Sequence, residues 1–299
     1  MPEGDTVFLA GRRMHDALAG ATLTRGELRH PRLVEHDLAG RTVLEVVSVG
    51  KHLFTRFDDA TSLHSHFRMD GTWHLYRPGR PWRGGPEHSI RAILEVPDRV
   101  AVGYRLHDLE LLPTDREGDL VGHLGPDLLG DDWGPEAEAE VERRLRADPA
   151  RELGAALLDQ RVACGVGNLY KAEVCFLVGV SPWTRVGDLS DRQVHDAVAW
   201  SRKLLLRNAW RPEQSTTGDL GGNAQHWVFE RGGRGCRRCR DVVRTAGQAE
   251  TQHADGGSPD REDRIAYFCP TCQPGPHPPL ERRRGRRPQQ QSGRQARYG

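Results

Sequence analysis

Lysine is nearly absent from this 299-residue chain: only Lys51, Lys171 and Lys203 stand against forty arginines. Arginine stays protonated and serves neither as base nor as nucleophile. Amine chemistry is therefore confined to three side chains and a free chain terminus. Long hydrophobic runs are also missing. None approaches the ~20 residues of a membrane-spanning helix, and Gly4-Asp5-Thr6 followed by Arg12 and Arg13 is no signal peptide. These two absences exclude a membrane helix and lead us to expect a cytoplasmic protein. Hydrophobic content of 36% and charged content of 28% fit a polar surface. The net charge of +1 hides an uneven distribution, with acids near 131–142 and arginines at 231–240 and from 282 onward.

At this length two domains, each with its own core, are possible. Val7, Leu9, Ala10, Met14, Leu18 and Ala19 predict a helix over 7–20, stopped by Gly20. Short β-branched and alternating runs follow at 42–49, 53–57, 72–76, 90–96 and 100–104, a pattern expected of a sandwich or barrel. Residues 112–134 read as a connection. Helices are expected at 135–147, 151–159, 168–177 and 191–208, and a Gly-rich, cysteine-bearing module after 212. From Gln273 the composition is too poor in apolar residues to fold, so a disordered basic tail is expected. The fold class is α+β and multidomain.

Three local patterns carry chemistry. Removal of Met1 before a small residue would leave Pro2 as a terminal secondary amine beside the carboxyl of Glu3. Such an amine is partly neutral at physiological pH and forms Schiff bases with carbonyl carbons. Met-Pro starts without catalytic meaning are also common. Cys236-x-x-Cys239 and Cys269-x-x-Cys272, 29 residues apart, have the spacing of two knuckles closing a tetrahedral Zn²⁺ site. Disulfides or a redox pair are the alternative. The module is too small to bury a core, so its folding is expected to depend on the metal. Cys164 and Cys175 lack ligand spacing and read as packing residues. In Gln160–Tyr170, Gly165, Gly167 and Asn168 precede a predicted helix. That arrangement suits phosphate at a helix N-terminus, or Asn168 acting as an ordinary N-cap.

The run Gln160-Arg161-Val162-Ala163-Cys164-Gly165-Val166-Gly167-Asn168-Leu169-Tyr170, continuing to Glu173, resembles the helix–two-turn–helix signature of the formamidopyrimidine-DNA glycosylase/endonuclease VIII family. The Pro2-Glu3-Gly4 start, the Gly50-Lys51 step and the cysteine pairs with Arg264 extend the resemblance over nearly all of 1–273. It implies a β-sandwich catalytic domain at 1–130, a helix–two-turn–helix DNA-binding domain at 131–222, a β-hairpin zinc finger at 223–273 and the tail at 274–299. It also implies excision of damaged bases from double-stranded DNA, followed by nicking of the backbone. In that scheme Pro2 attacks C1′, Glu3 moves protons, and Lys51, Asn168 and Arg264 hold phosphates. Met69, with Arg68 beside it, fills the space of the extruded base. The resemblance implies one structural zinc, a monomer and association with the nucleoid.

Some readings stay open at this level. Lys51 could be a surface lysine at a strand end, and Met69 could belong to a core. His64 and His66 are expected to face solvent or phosphate, and Lys171 to be solvated. The chain has Asp5-Thr6 where many relatives have Pro-Glu, so the second family glutamate is missing, with Thr6 as a weaker substitute. The hydrophilic stretch Gln248–Asp263 reads as an inserted loop, and the arginines of 282–287 as a source of salt-dependent DNA affinity. The Pro-Glu-Gly start leans toward oxidised pyrimidines as substrates. A purine-preferring glycosylase and a catalytically weak damage-binding protein are the alternatives.

Overall fold

A computed structural model describes residues 2–248 and 265–279. Arg264, most of the inserted stretch and the tail from 280 lie outside the described residues, and the expectations placed on them go no further than the sequence. Helix α1 (Gly4–Leu18) buries Val7, Gly11, Met14 and Leu18, which recur every three or four residues along one face. The Val7, Met14 and Leu18 side chains removed from water each contribute about 1.5–3 kcal/mol before ordering costs. The helix starts three residues earlier than its apolar period predicts. The carbonyl of Glu3 accepts from Thr6 N and Val7 N at 3.0 and 3.1 Å, so the polar first turn is helical as well.

Two four-stranded antiparallel sheets follow. One has the order β1 (Arg25–Leu28), β6 (Ile90–Val96), β7 (Arg99–Tyr104), β5 (Thr72–Tyr76); the other runs β2 (Val43–Val49), β3 (His52–Phe57), β4 (Thr61–His66), β8 (Asp108–Pro113). Leucines and valines from both inner faces join α1 in one core. The alternating runs predict five of these strands. They miss β4, whose Thr-Ser-Leu-His-Ser-His looks polar but is buried along four consecutive residues. Most of its buried polar groups find partners inside the protein: Ser62 Oγ bonds Glu117 at 2.6 Å, Trp73 Nε1 donates to Ser65 Oγ at 3.1 Å, and Nε2 of His64 bonds His52, leaving only Nδ1 of His64 without one among them. Buried polar groups with partners carry little penalty, and period-2 hydrophobicity is lost.

The second half is helical, with α2 (Gly118–Val121), α3 (Pro135–Arg146), α4 (Leu153–Leu158), α5 (Asn168–Val178) and α6 (Asp191–Asn208). Helix α6 opens with the capping box of Ser190 and Gln193. A hairpin of β9 (Arg244–Gly247) and β10 (Ile265–Phe268) completes the described chain. The finger is less separate than its composition suggests. Val228, Phe229, Cys236, Val243 and Cys269 belong to the same core as α3–α6. Gln248, expected at the base of a hydrophilic loop, is instead buried, and its amide donates to Pro182 O at 3.0 Å. Among the described residues no helix is long and apolar enough to cross a membrane.

Candidate active site

The first turn of α1 points into the N-terminus of α5. An α-helix leaves its first amides without internal partners and places partial positive charge there. Gly167, the N-cap of α5, supplies no side chain to meet them. The carboxylate of Glu3 does so from the other end of the sequence. It accepts from Gly167 N at 2.8 Å and Leu169 N at 2.7 Å, with Tyr170 N at 3.4 Å. A Cβ on Gly167 would stand 2.6 Å from Cδ of Glu3, so only glycine permits this approach. Gly4 N donates to Gly165 O at 2.9 Å and locks the two backbones together. The helix end read from sequence as a phosphate seat is thus filled by a protein carboxylate, and Asn168 is the first helical residue rather than the cap.

Burial pushes the Glu3 carboxyl up to about 7. The charge of Lys51 opposes this, Asp5 reinforces it, and the Leu169 and Gly167 amides moderate it. A carboxyl poised near neutrality suits a group that both gives and takes protons. Lys51 sits half-buried in the two-residue turn between β2 and β3, where Val49 pairs with His52. Gly50 holds φ +58°, its N–H donates to Asp127 Oδ2 at 2.7 Å, and a Cβ there would meet Cβ of Cys164 at 2.8 Å. The hairpin tip is therefore docked onto the two-turn segment, and Lys51 is no strand-end lysine in open solvent. Gln160 ties the segment itself: its amide donates to Leu158 O and Val166 O at 2.8 and 2.9 Å and accepts from Gly165 N at 3.0 Å.

Pro2, Glu3, Lys51 and Asn168 thus gather where the two halves of the molecule meet. Arg68 and Met69 lie apart, on the turn after β4. Arg68 is exposed, with φ +46°, and its guanidinium binds Asp108, one contact being Nη2–Oδ1 at 3.0 Å. Met69 is only partly buried and belongs to none of the described cores. Beside this turn a cleft of about 430 Å³ runs along α1 from Thr6 to Arg13, bordered by Phe67, Trp73, Arg211 and Pro212.

Several expectations are corrected. His64 does not face solvent: it is 3% exposed and bonds His52 at 2.9 Å, ring on ring. Burial, with the neighbouring imidazoles, holds His52 down at about 2 and His64 at about 4. His66 is partly buried, 3.7 Å from Asp108. Lys171 is fully buried inside α5 rather than solvated. Cys164 and Cys175 are buried and free, as packing residues should be. Sequence reasoning missed Asp5, Tyr170, Gln214 and Asp127. Asp5 left a signal, as an acid displaced by one position from the family pattern, and Tyr170 closes the signature run, although no role was read for it.

The four paired cysteines converge with all sulfurs within 4.8 Å of one another. Contacts cross between knuckles, Cys236–Cys272 at 3.8 Å and Cys239–Cys269 at 3.4 Å, far beyond the ~2.05 Å of a disulfide. These separations are close to the ~3.8 Å edge of a tetrahedron with bonds of about 2.3 Å. The cluster can hold a metal ion.

Residues 1–108 match the formamidopyrimidine-DNA glycosylase N-terminal domain, and residues 124–219 match the formamidopyrimidine-DNA glycosylase H2TH domain. The chain is 51% identical to a probable endonuclease 8 2 of Streptomyces coelicolor, over 96% of its own length and 99% of the relative's. It is 44% identical to the DNA-(apurinic or apyrimidinic site) lyase Nei2 of Mycolicibacterium smegmatis, covering 91% and 99%. In fold it resembles the Lactococcus lactis formamidopyrimidine-DNA glycosylase bound to DNA with an abasic site, at TM-score 0.74 and 22% identity over 92% of this chain and all of that one. With both domain matches in chain order around a Glu3 held by α5, the chain belongs to the formamidopyrimidine-DNA glycosylase/endonuclease VIII family.

Proposed function

We propose that the protein is a bifunctional DNA glycosylase and AP lyase of base excision repair, acting on damaged double-stranded DNA, with Pro2 as its nucleophile once Met1 is removed. The observation that carries this reading is the buried carboxyl of Glu3, beside Pro2 and poised at about 7. Attack of the Pro2 nitrogen at C1′ forms the N–C1′ bond as the C1′–base bond breaks, and the proton of the amine leaves with the departing base. Glu3 then gives its proton to O4′ as the C1′–O4′ bond breaks, leaving an iminium on Pro2. The iminium draws electrons as the C2′ proton is removed and the 3′ phosphate leaves, with elimination of the 5′ phosphate to follow.

Lys51 and Asn168 hold phosphates next to the opened sugar, and Arg264 adds a grip from the finger. Met69 enters the stack vacated by the flipped nucleotide, with Arg68 beside it. Oxidised pyrimidines are the favoured bases. Four thiolates in tetrahedral reach favour zinc as the resident metal, held by Cys236, Cys239, Cys269 and Cys272, where it would order the finger. Borohydride reduction on an abasic duplex tests the nucleophile. A covalent adduct is expected from processed protein and should vanish in Pro2→Gly or behind an uncleaved N-terminal extension. An unchanged adduct in Pro2→Gly would remove Pro2 from the mechanism.

A further inference from the structure

Asp5 takes no part in the chemistry above, yet it is 1% exposed. Its carboxylate receives only donated hydrogen bonds: Tyr170 Oη reaches Oδ2 at 2.7 Å, and the Gln214 amide reaches both oxygens at 3.0 Å. Burial raises this carboxyl above its ordinary range, and the bonds donated by Tyr170 and Gln214 pull against that shift by favouring the charged form. The donors come from the two elements that frame the reaction site. Tyr170 stands on α5, whose amides hold Glu3. Gln214 stands on the segment after α6 and also approaches Thr6 Oγ1 at 3.4 Å. That segment is fixed from behind, since Ser215 N donates to Asn208 Oδ1 at 2.8 Å and Thr216 Oγ1 donates to Glu173.

We infer that Asp5 is a positioning residue for the Glu3 proton. Its clamped carboxylate supplies the second negative charge of the active site from position 5 instead of position 6, and it keeps Glu3 in the acid form needed to open the sugar. The inference rests on the roles given above to Pro2 and Glu3. Glu3 is faced by Lys51 from the β2–β3 turn, by the Gly167 and Leu169 amides and Tyr170 from α5, and by Pro2 and Asp5 on its own element. Lys51 and the amides favour the carboxylate. Asp5 is the negative group in this set, and it favours the acid; burial acts in the same direction. Thr6 has no charge with which to do this, so the departure from the family pattern moves the acid one residue along without losing it.

The test is the pH dependence of single-turnover borohydride trapping on an abasic duplex, for the full-length metal-loaded protein and its Glu3→Gln, Asp5→Asn and Tyr170→Phe variants. Glu3→Gln is expected to erase one limb of the profile, and the limb that survives belongs to the Pro2 amine. Asp5→Asn should still trap, with the Glu3 limb moved about one pH unit lower because a nearby negative charge is gone. A Glu3 limb that stays in place while only amplitude or melting temperature falls would show a merely structural Asp5 and overturn the inference. Should Asp5→Asn fail to fold, Tyr170→Phe decides. Losing one donor favours protonation of Asp5 and moves the limb the same way by less, whereas an unmoved limb refutes the proposal. Wild-type protein that traps nothing, or a Glu3→Gln profile identical to wild type, would count against the roles of Pro2 and Glu3 themselves.

Discussion

At the Glu3 carboxyl, burial and hydrogen bonding pull in opposite directions, and the outcome is measurable as stability. Burial wins and raises the group from 4.5 to about 7, although Lys51 and two amides favour its charge. A raised folded-state value means that the contribution of Glu3 to stability is fully present below the unfolded value near 4.5. It is lost as pH rises through about 7. With each unit worth ~1.4 kcal/mol, the loss is on the order of 3 kcal/mol. Denaturant unfolding of wild type and Glu3→Gln at both ends of that window should show the difference. Relative to the variant, wild type should weaken by that order from the acid to the alkaline end. Equal pH slopes for the two proteins would contradict the raised value. The site thus holds an ionisable group where ionisation costs stability, as catalytic positions often do.

At the scale of elements, α5 joins chemistry to architecture. Its N-terminus holds Glu3, and Tyr170 one turn on holds Asp5. Glu173 accepts from Trp227 N, Val228 N and Phe229 N, each at 2.8 Å, and so fastens the finger. Gly167→Ala should separate these roles. The added Cβ, 2.6 Å from Cδ of Glu3, has no flexible neighbour to displace except Glu3 itself. Trapping should fall at least about a hundredfold, equivalent to ~2.7 kcal/mol of barrier, while circular dichroism and the Glu173 contacts persist. Trapping at the wild-type rate would mean that Glu3 need not be gripped by α5. Much of this element was legible beforehand: the Gly167-Asn168 turn and the following helix stand out in the sequence. The occupant of its N-terminus did not, because Glu3 lies 164 residues away and no local pattern encodes such a contact. β4 was hidden for a related reason, since its Ser and His side chains find partners elsewhere in the chain, Ser62 on Glu117, Ser65 on Trp73 and His64 on His52. Lys171 was misread because charge usually implies exposure, while here the residue sits on a helix buried on all sides.

At the scale of the whole molecule, the described residues form two main cores, not one per sequence-defined module. One fills the β-sandwich with α1, and the other runs from α3 through α6 into the cysteine finger. Composition alone marks the finger as an appendage, but Cys236 and Cys269 are fully buried against the helical half. Four thiolates packed this closely repel once deprotonated unless a cation joins them, so removing the metal should disturb more than the hairpin. Chelation is therefore expected to raise hydrogen exchange in 227–247, in α5 near Glu173 and in the neighbouring face of α6. The strands of the sandwich, whose core contains no finger residue, should keep their protection. DNA binding should weaken in parallel, since the arginines around the cysteines lose their fixed arrangement. If exchange rose only within the hairpin, the finger would be an independent unit hung on the protein. If the sandwich opened as well, the two cores would form a single cooperative unit despite their separate packing. The expected pattern lies between these, because α5 bonds to both: its first turn holds the chain at Glu3 and its second holds the finger at Glu173.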